Sequence, residues 1–507
     1  MHVLRDRETS GVPDGAARRA LHPATQVPHW IVVAATLFCA LRRMAGNGWV
    51  PVFDPDVWWV AAAGRVALET GRAPAWNLFS FTEPERPWIM HEWLLGPLYA
   101  LGLTRMGPAF FVLVALGAYG LGLHLIVRAT LGRARHSLVG VLFAGVGTVF
   151  FLRRLVSARP MHLAALCPLG LGILAFGPAF SRWQLLGVVV IEWLWANCHG
   201  SFPLGLLLLM AAALDAERDR RRRWIALGLA GAVSFVNPYG AKLHVFVWHY
   251  FAGGAGIFRS IHQHSSEFGS LFAAWGKLIK LQELVGCTLG VCLALVVLAT
   301  PRHRVRGLVC LGLWVMAFRQ ARHIDLAGLL SCVLLLPWAD ARLRAWSRPP
   351  QLEAAFRRRA SWLLVGPVWL LAALIFTTSY TSRHPGDWVD PDFGFAGELA
   401  AVPDGARLFI PFHYAGYAIW HGYPRGIRVF FDPRNDCYTS EALERYVTLN
   451  AARDPSEARQ LLDASHTDTV LAPTGHPLLA ILADTPGWQP LAGNPAHGYR
   501  RHQLQTR

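Results

Sequence analysis

The sequence predicts a mainly α-helical fold: a polytopic transmembrane bundle of about eleven spans, with a small C-terminal extracytoplasmic α/β domain. Three observations carry this expectation. Of 507 residues, 53% are hydrophobic and only 16% charged, whereas soluble domains run nearer a quarter charged. Apolar segments run nearly unbroken from about residue 28 to about 378, after which the chain turns polar and is punctuated by Gly and Pro. Arg falls in short blocks between the apolar segments, and the 21 Trp supply indole rings that favour the headgroup layer.

A span needs about 20 apolar residues, fewer when kinked. Candidates centre near residues 30–44, 109–127, 138–152, 161–179, 184–198, 203–214, 224–237, 283–300, 306–318, 323–339 and 361–378. The stretch 91–106 is apolar but short, and is interrupted by Gly96, Pro97 and Gly102. Arg blocks stand at Arg5/Arg7/Arg18/Arg19, Arg128/Arg133/Arg135, Arg218 with Arg220 to Arg223, Arg302/Arg304/Arg306, and Arg342 through Arg359. Placing all five in the cytoplasm requires an even number of crossings between neighbouring blocks. The count balances when 91–106 is a partial or re-entrant helix. The expected organisation is a cytoplasmic segment over 1–27, a transmembrane domain over 28–380, and a soluble α/β domain over 390–507. The first external loop then covers about 46–108, and the C-terminal domain lies outside.

Several function classes are excluded or disfavoured. The formal net charge of +16 sits in blocks that set membrane orientation, so nucleic acid is not an expected partner. The 8 Cys are scattered, several in apolar spans (Cys39, Cys167, Cys287, Cys310, Cys332), with no Cys-x-x-Cys pair. Buried filler is the expected role, with neither disulfides nor zinc. No glycine-rich phosphate loop, dinucleotide fingerprint or nucleophile elbow is present, so nucleotide-driven transport has no motif behind it. The Arg-dotted N-terminus lacks a small-residue cleavage site, and an uncleaved first helix is expected.

The threading collects the varied polar residues on the external side. Phe53-Asp54-Pro55-Asp56-Val57-Trp58-Trp59 puts two carboxylates where the first span meets water. Charges cost several kcal/mol inside hydrocarbon and little at the interface, so such a pair points to chemistry on a lipid-borne substrate. Asp56, beside the aromatic pair, and Asp54 are the candidate base or cation-holding groups. An N-cap accounts for one Asp but not for both. The following Val57 to Glu69 is expected as an amphipathic interfacial helix. His91 and Glu92 form a second interfacial patch suited to a phosphate, a metal or a sugar hydroxyl, with helix capping as the alternative. Arg153, Arg154 and Arg159 break the charge rule, and bidentate binding of a lipid phosphate would explain them. Arg319 and Arg322 repeat that logic at another external turn, and His199 ends an apolar helix in Trp195-Ala196-Asn197-Cys198-His199-Gly200. Asn237-Pro238-Tyr239-Gly240 reads as turn punctuation. His262, His264 and Glu267 have a metal-like composition but no specific spacing, and no metal ligand is assigned.

These residues resemble the GT-C glycosyltransferases, such as the protein O-mannosyltransferases and the lipid A aminoarabinose transferases. The likeness is stronger to a group of bacterial GT-C-like membrane proteins. It rests on Asp56 to Trp59, Asn77-Leu78-Phe79-Ser80-Phe81-Thr82, His91 to Leu94, Ala158 to Pro160, Trp195 to Gly200, Asn237 to Gly240, Gly416-Tyr417-Ala418-Ile419-Trp420 and Val429-Phe430-Phe431-Asp432-Pro433-Arg434. Where that group usually carries His after the Trp pair, this chain has Val60. The resemblance implies transfer of a sugar from a polyprenyl-phosphate donor to a glycan, lipid or protein acceptor on the outer face of a bacterial inner membrane. Asp54 or Asp56 would be the base and the external Arg residues would bind the donor phosphate. A divalent cation (Mg or Mn) is a candidate cofactor. Two other readings compete: a flippase or transporter of a lipid-linked saccharide, and a non-catalytic scaffold.

Beyond residue 392 the chain alternates short apolar runs (Arg407 to Pro411, Ile427 to Phe431, Thr469 to Leu471, Trp488 to Leu491) with helix-like stretches (Ser440 to Leu449, Ser456 to Ala464, Leu478 to Ala483). This alternation predicts a small α/β domain. Asp432, Arg434 and Asp436 follow a predicted strand, where such folds bind ligands, with a mutual salt bridge as the alternative.

Overall fold

The computed structural model describes residues 54–107, 109–130, 133–134, 137–154, 158–252, 257, 259–260, 281–346, 395–491 and 496–501. The expected spans 30–44 and 361–378, the segment 1–27, and His262, His264 and Glu267 lie outside the described residues. The chain is mainly helical with one small sheet. Helices α1 (Pro55–Thr70) and α2 (Leu95–Met106) lead into α3 (Ala109–Thr130), α4 (Ser137–Arg154), α5 (Pro160–Leu163), α6 (Leu166–Ala175) and α7 (Arg182–Cys198). Next come α8 (Pro203–Asp215), α9 (Arg220–Val233), α10 (Ala241–Ala252), α11 (Leu281–Leu298), α12 (Arg304–Arg319), α13 (Ile324–Leu334) and α14 (Leu336–Trp346). The C-terminal part runs α15 (Phe395–Ala401), β1 (Arg407–Phe409), α16 (Phe412–Gly422), β2 (Arg428–Val429), α17 (Ser440–Ala451), α18 (Pro455–Ala464), β3 (Thr469–Leu471), α19 (Pro477–Ala483), β4 (Trp488–Pro490) and β5 (Gly498–Arg501).

Among the described residues, one helix, α3, is long and apolar enough to cross a membrane by itself. Its 22 residues reach about 33 Å. Counting two bent pairs as one span each raises the number to three: α11 with the helix after Pro301, turned by 115°, and α13 with α14, turned by 48°. Among the described residues the expected count of about eleven spans is not confirmed, since helices such as α6 and α8 are shorter than a full crossing. Helix α2, at 12 residues and about 18 Å, is also short of a hydrocarbon thickness of about 30 Å. The helical region nevertheless has an apolar exterior: Leu121, Trp183, Leu207, Trp224, Trp248, Leu289 and Leu308 are all exposed. Helix α13 is its axis, buried at Ile324 and from Leu326 to Leu334.

Three of the Arg blocks meet at one end of this region. Arg306 pairs with Asp215 at 2.7 Å and Arg302 with Glu217 at 3.1 Å. Arg133 donates to the Ile173 carbonyl, and its charge acts on Arg306. Arg223, buried, caps the end of α6 by donating to the carbonyls of Ala175 and Gly177.

Helix α1 departs from expectation. Asp54 caps it by accepting the Asp56 N–H at 3.0 Å, Pro55 opens it, and Gly71 closes it at φ 68°. It does not lie amphipathically on a surface, since every residue from Asp56 to Gly64 is buried. The sequence Val-Trp-Trp-Val-Ala-Ala-Ala is apolar all round the helix, and such a helix belongs in a core. Its neighbours come very close. A Cβ on Gly64 would stand 1.9 Å from the Gly96 carbonyl, and one on Gly416 would stand 2.0 Å from the Pro55 carbonyl oxygen. Gly64→Val should therefore cost about 3 kcal/mol, the upper end for overpacking, because the obstacle is backbone. A thermal melt in detergent unchanged by this substitution would refute the α1–α2 crossing.

The sheet has the order β2-β1-β3-β5-β4, parallel across β2-β1-β3 and antiparallel beyond. Residues 79–81 cover its β2 edge. Val429 donates to the Phe79 carbonyl at 2.9 Å and Phe81 donates to the Val429 carbonyl at 3.2 Å. Covering that edge leaves no strand free to pair with another chain on this side. One apolar cluster then runs from Val57, Trp58, Phe79 and Trp88 into Leu408, Phe430, Phe431 and Tyr438. Helix α1 and the C-terminal sheet share this core, and the polar groups described next line its seam with the bundle.

Candidate functional site

Asp56 stands in the first turn of α1, 8% exposed. Its Oδ1 accepts the Trp59 indole N–H at 3.0 Å and its Oδ2 accepts the Arg159 Nε–H at 2.5 Å. Arg159 precedes Pro160 at the start of α5, which holds its backbone out of helix and points the side chain across to α1. The tie is reinforced by Tyr99, whose hydroxyl donates to the carbonyl of Ala158. Burial pushes the Asp56 carboxyl up to about 7 against the pull of Arg159, with Asp54 and Glu92 adding to the rise.

Glu92 is buried beside His91, with Oε1 3.2 Å from the His91 Nε2. The His91 ring stacks on Phe246 and meets His199 edge-on at 5.9 Å. Burial disfavours the imidazolium, but Glu92 and Asp436 outweigh it and lift His91 to about 9. The turn carrying these residues is fastened from several directions. The Trp93 indole donates to the Asn197 Oδ1 at 2.7 Å, and Leu94 donates to the Asn197 carbonyl. Tyr239 accepts the Met90 N–H and donates to the Pro74 carbonyl. The Trp-Ala-Asn and Asn-Pro-Tyr motifs thus act as struts for the His91–Glu92 turn. Asn237 makes the expected turn by accepting the Tyr239 N–H. His199 caps α7 and pairs its Nδ1 with Ser201 at 2.7 Å.

The other sequence candidates fall in different places. Asp54 serves as the cap and acts electrostatically on His413 of α16. Arg322 reaches the α5 turn, donating to the Met161 sulfur at 3.4 Å, two residues from Arg159. Arg319 ends α12, exposed. Arg153 and Arg154 end α4, and their side chains lie outside the described residues. The structure thus brings Asp56, Arg159, His91, Glu92 and His199 into one neighbourhood, with Arg322 at its margin.

Sequence reasoning left two parts of this site unassigned. Asp432 and Arg434 make the buried salt bridge that was the alternative reading, with Nε to Oδ1 at 2.8 Å and Nη2 to Oδ2 at 2.6 Å. Arg434 also donates to Asn77 and lies over the Phe79 and Trp88 rings, which clamps residues 77–88 to the loop after β2. Asp436, two residues on, faces His91 and Glu92. Burial raises its carboxyl to about 7, with His91 and Arg434 pulling the other way. Only its position after a predicted strand signalled it.

Among the described residues no divalent-cation site is assembled. Asp56 gives one oxygen to Trp59 and the other to Arg159, and His91 gives Nε2 to Glu92. Among the described residues no three His, Cys, Asp or Glu side chains converge with metal spacing.

No family profile matches this sequence, and no curated protein sequence matches it. Solved structures do. The chain superposes on the archaeal oligosaccharyltransferase AglB of Archaeoglobus fulgidus, in complex with an inhibitory peptide and a dolichol-phosphate, with a TM-score of 0.56 at 12% identity over 94% of this chain and 75% of that one. The oligosaccharyltransferase of the same organism tethered to an acceptor peptide containing the NVT sequon matches with a TM-score of 0.56 at 12% identity, over 94% and 74%. Its complex with Zn and sulfate gives 0.52 at 12%, over 93% and 73%. The chain shares the fold of these oligosaccharyltransferase structures.

Proposed function

We propose that the chain is a GT-C-type glycosyltransferase that moves a sugar from a polyprenyl-phosphate donor to an acceptor hydroxyl at a membrane surface. One observation carries this: a buried carboxylate, Asp56, shares its seat with Arg159 where the apolar bundle meets the C-terminal α/β part. The fold supports the reading, since structural neighbours hold a dolichol-phosphate in one case and an acceptor peptide in another. The exposed apolar exterior of α3 to α12 supports a membrane-embedded protein, and the reading places it as a multi-pass protein of a bacterial inner membrane. The Arg-block end and residues 1–27 would be cytoplasmic, the transmembrane part would cover 28–380, and 390–507 would be extracytoplasmic.

In the transfer step the acceptor O–H gives its proton to the Asp56 carboxylate. The acceptor oxygen forms the new bond to the anomeric carbon. The bond from that carbon to the phosphate oxygen breaks, and its electron pair leaves with the polyprenyl phosphate. Arg159 and Arg322 would neutralise the departing phosphate, and Arg153, Arg154 and Arg319 would extend the basic surface. Glu92 would act beside Asp56 in activating the acceptor, while Asp54 would hold the helix end that aims Asp56. His91 and His199 would line the substrate.

Purified protein incubated with labelled polyprenyl-phosphate sugars should release polyprenyl phosphate. The base must be ionised, so kcat/KM should fall about tenfold per pH unit below the Asp56 value of about 7. It should fall again above about 9, where His91 loses its charge. A profile flat between these limits and well below them would remove Asp56 as the base. No release from any donor would favour a scaffold or transporter.

A further inference from the structure

Asp436 belongs to the C-terminal part, yet it lies close enough to the turn that carries His91 and Glu92 to act on both electrostatically. Four buried polar atoms at this junction have no hydrogen-bond partner: His91 Nδ1, Glu92 Oε2, Asp436 Oδ2 and Arg434 Nη1. Glu92 and Arg434 are more than nine-tenths buried. Among the described residues these are four of ten such atoms, so the shortfall is concentrated here. Buried polar groups are ordinarily satisfied by protein, water or ligand, and a cluster left open by the protein is available to a ligand.

The open atoms are two carboxylate oxygens and two N–H groups. An ammonium would satisfy the oxygens and face two cationic donors, whereas a phosphate would do the reverse. A hydroxyl donates and accepts at once. The charges come close to balance: His91 offsets Glu92, Arg434 is paired with Asp432, and burial raises the Asp436 carboxyl to about 7, which leaves it only partly ionised at neutral pH. The fitting ligand is neutral and carries several hydroxyls. A side-chain carboxamide also offers both functions, but its nitrogen is a far poorer nucleophile for a carboxylate base. Glu92 acts electrostatically on both Asp56 and Asp436, so the junction adjoins the reacting centre.

We propose that the junction of His91, Glu92, Asp436 and Arg434 is an acceptor subsite that takes the hydroxyl groups of a neutral sugar. This rests on the transferase reading, which names Asp56 as the base. The test is saturation-transfer NMR on the full-length protein in detergent. The probes are a panel of neutral methyl hexopyranosides, the matching uronic acids and an Asn-containing peptide. The neutral glycosides should show transfer, and the uronic acids should not. Affinity should drop about tenfold or more in Glu92→Gln and Asp436→Asn, the loss expected for a hydrogen bond to a charged group. Asp436→Leu, with each variant's melting point recorded, separates lost contacts from lost fold. Sugar binding that depends on Asp436 in a protein without transferase activity would sink the transferase reading and leave the subsite standing. Turnover by a protein that binds the peptide but no glycoside, or binds glycosides equally in all variants, would overturn the subsite alone.

Discussion

Asp56→Asn should lower turnover of labelled polyprenyl-phosphate sugar by about 100- to 10,000-fold, the range attributed to a positioned general base. The substitution is nearly isosteric. An amide oxygen can still accept the Trp59 N–H, now made at 3.0 Å, so the helix start should persist. What is lost is the carboxylate that takes the acceptor proton. Asp54→Asn provides the contrast: its recorded bond is a cap to the Asp56 N–H, and Asn caps a helix as well as Asp does. The two substitutions should therefore differ by orders of magnitude in rate. Equal losses would mean that the pair acts as one charge. Turnover unaffected by Asp56→Asn would withdraw the mechanism.

Asp432→Ala should destabilise the protein by about 3–5 kcal/mol, the usual cost of leaving a buried charge without its partner. Both side chains of the Asp432–Arg434 pair are wholly inaccessible to solvent. Asp432 also accepts the Tyr438 hydroxyl, at 2.5 Å. Without it Arg434 keeps Asn77 but loses three bonds to the carboxylate, two from its guanidinium and one from its backbone N–H, in a place where water cannot replace them. The loop after β2 and the 77–88 segment should loosen together, because Arg434 lies between Phe79 and Trp88. Trp fluorescence during thermal unfolding reports this through Trp88. Replacing both partners, Asp432→Leu with Arg434→Met, should recover much of the loss, because no charge is left stranded. A loss below about 1 kcal/mol in Asp432→Ala would show that the pair contributes little.

The C-terminal elements were readable because their signals are local. Predicted runs at Arg407, Thr469 and Trp488 became β1, β3 and β4, and the helix expected over Ser440 to Leu449 became α17. Strand β5, Gly-Tyr-Arg-Arg, was not foreseen, since its two arginines conceal the alternation and pairing with β3 and β4 makes it a strand. The span count was not confirmed, because hydropathy registers apolar composition, whereas most of the described apolar helices are shorter than a full crossing.

Composition and charge spacing, which need no knowledge of contacts, determined the helical bulk, the polar C-terminal part and the shared end of three Arg blocks. They also marked Asp54 and Asp56 as unusual, without saying which one caps the helix. Tertiary structure alone decided that question and the rest of the site. Asp56 meets an Arg 103 residues away, and Asp436 comes from the far end of the chain to face His91. Burial turned α1 from a surface helix into a core one. The physical reason is that a carboxyl's ionisation and partners depend on desolvation and on distances of a few ångström. Both are set by how segments remote in sequence pack against each other.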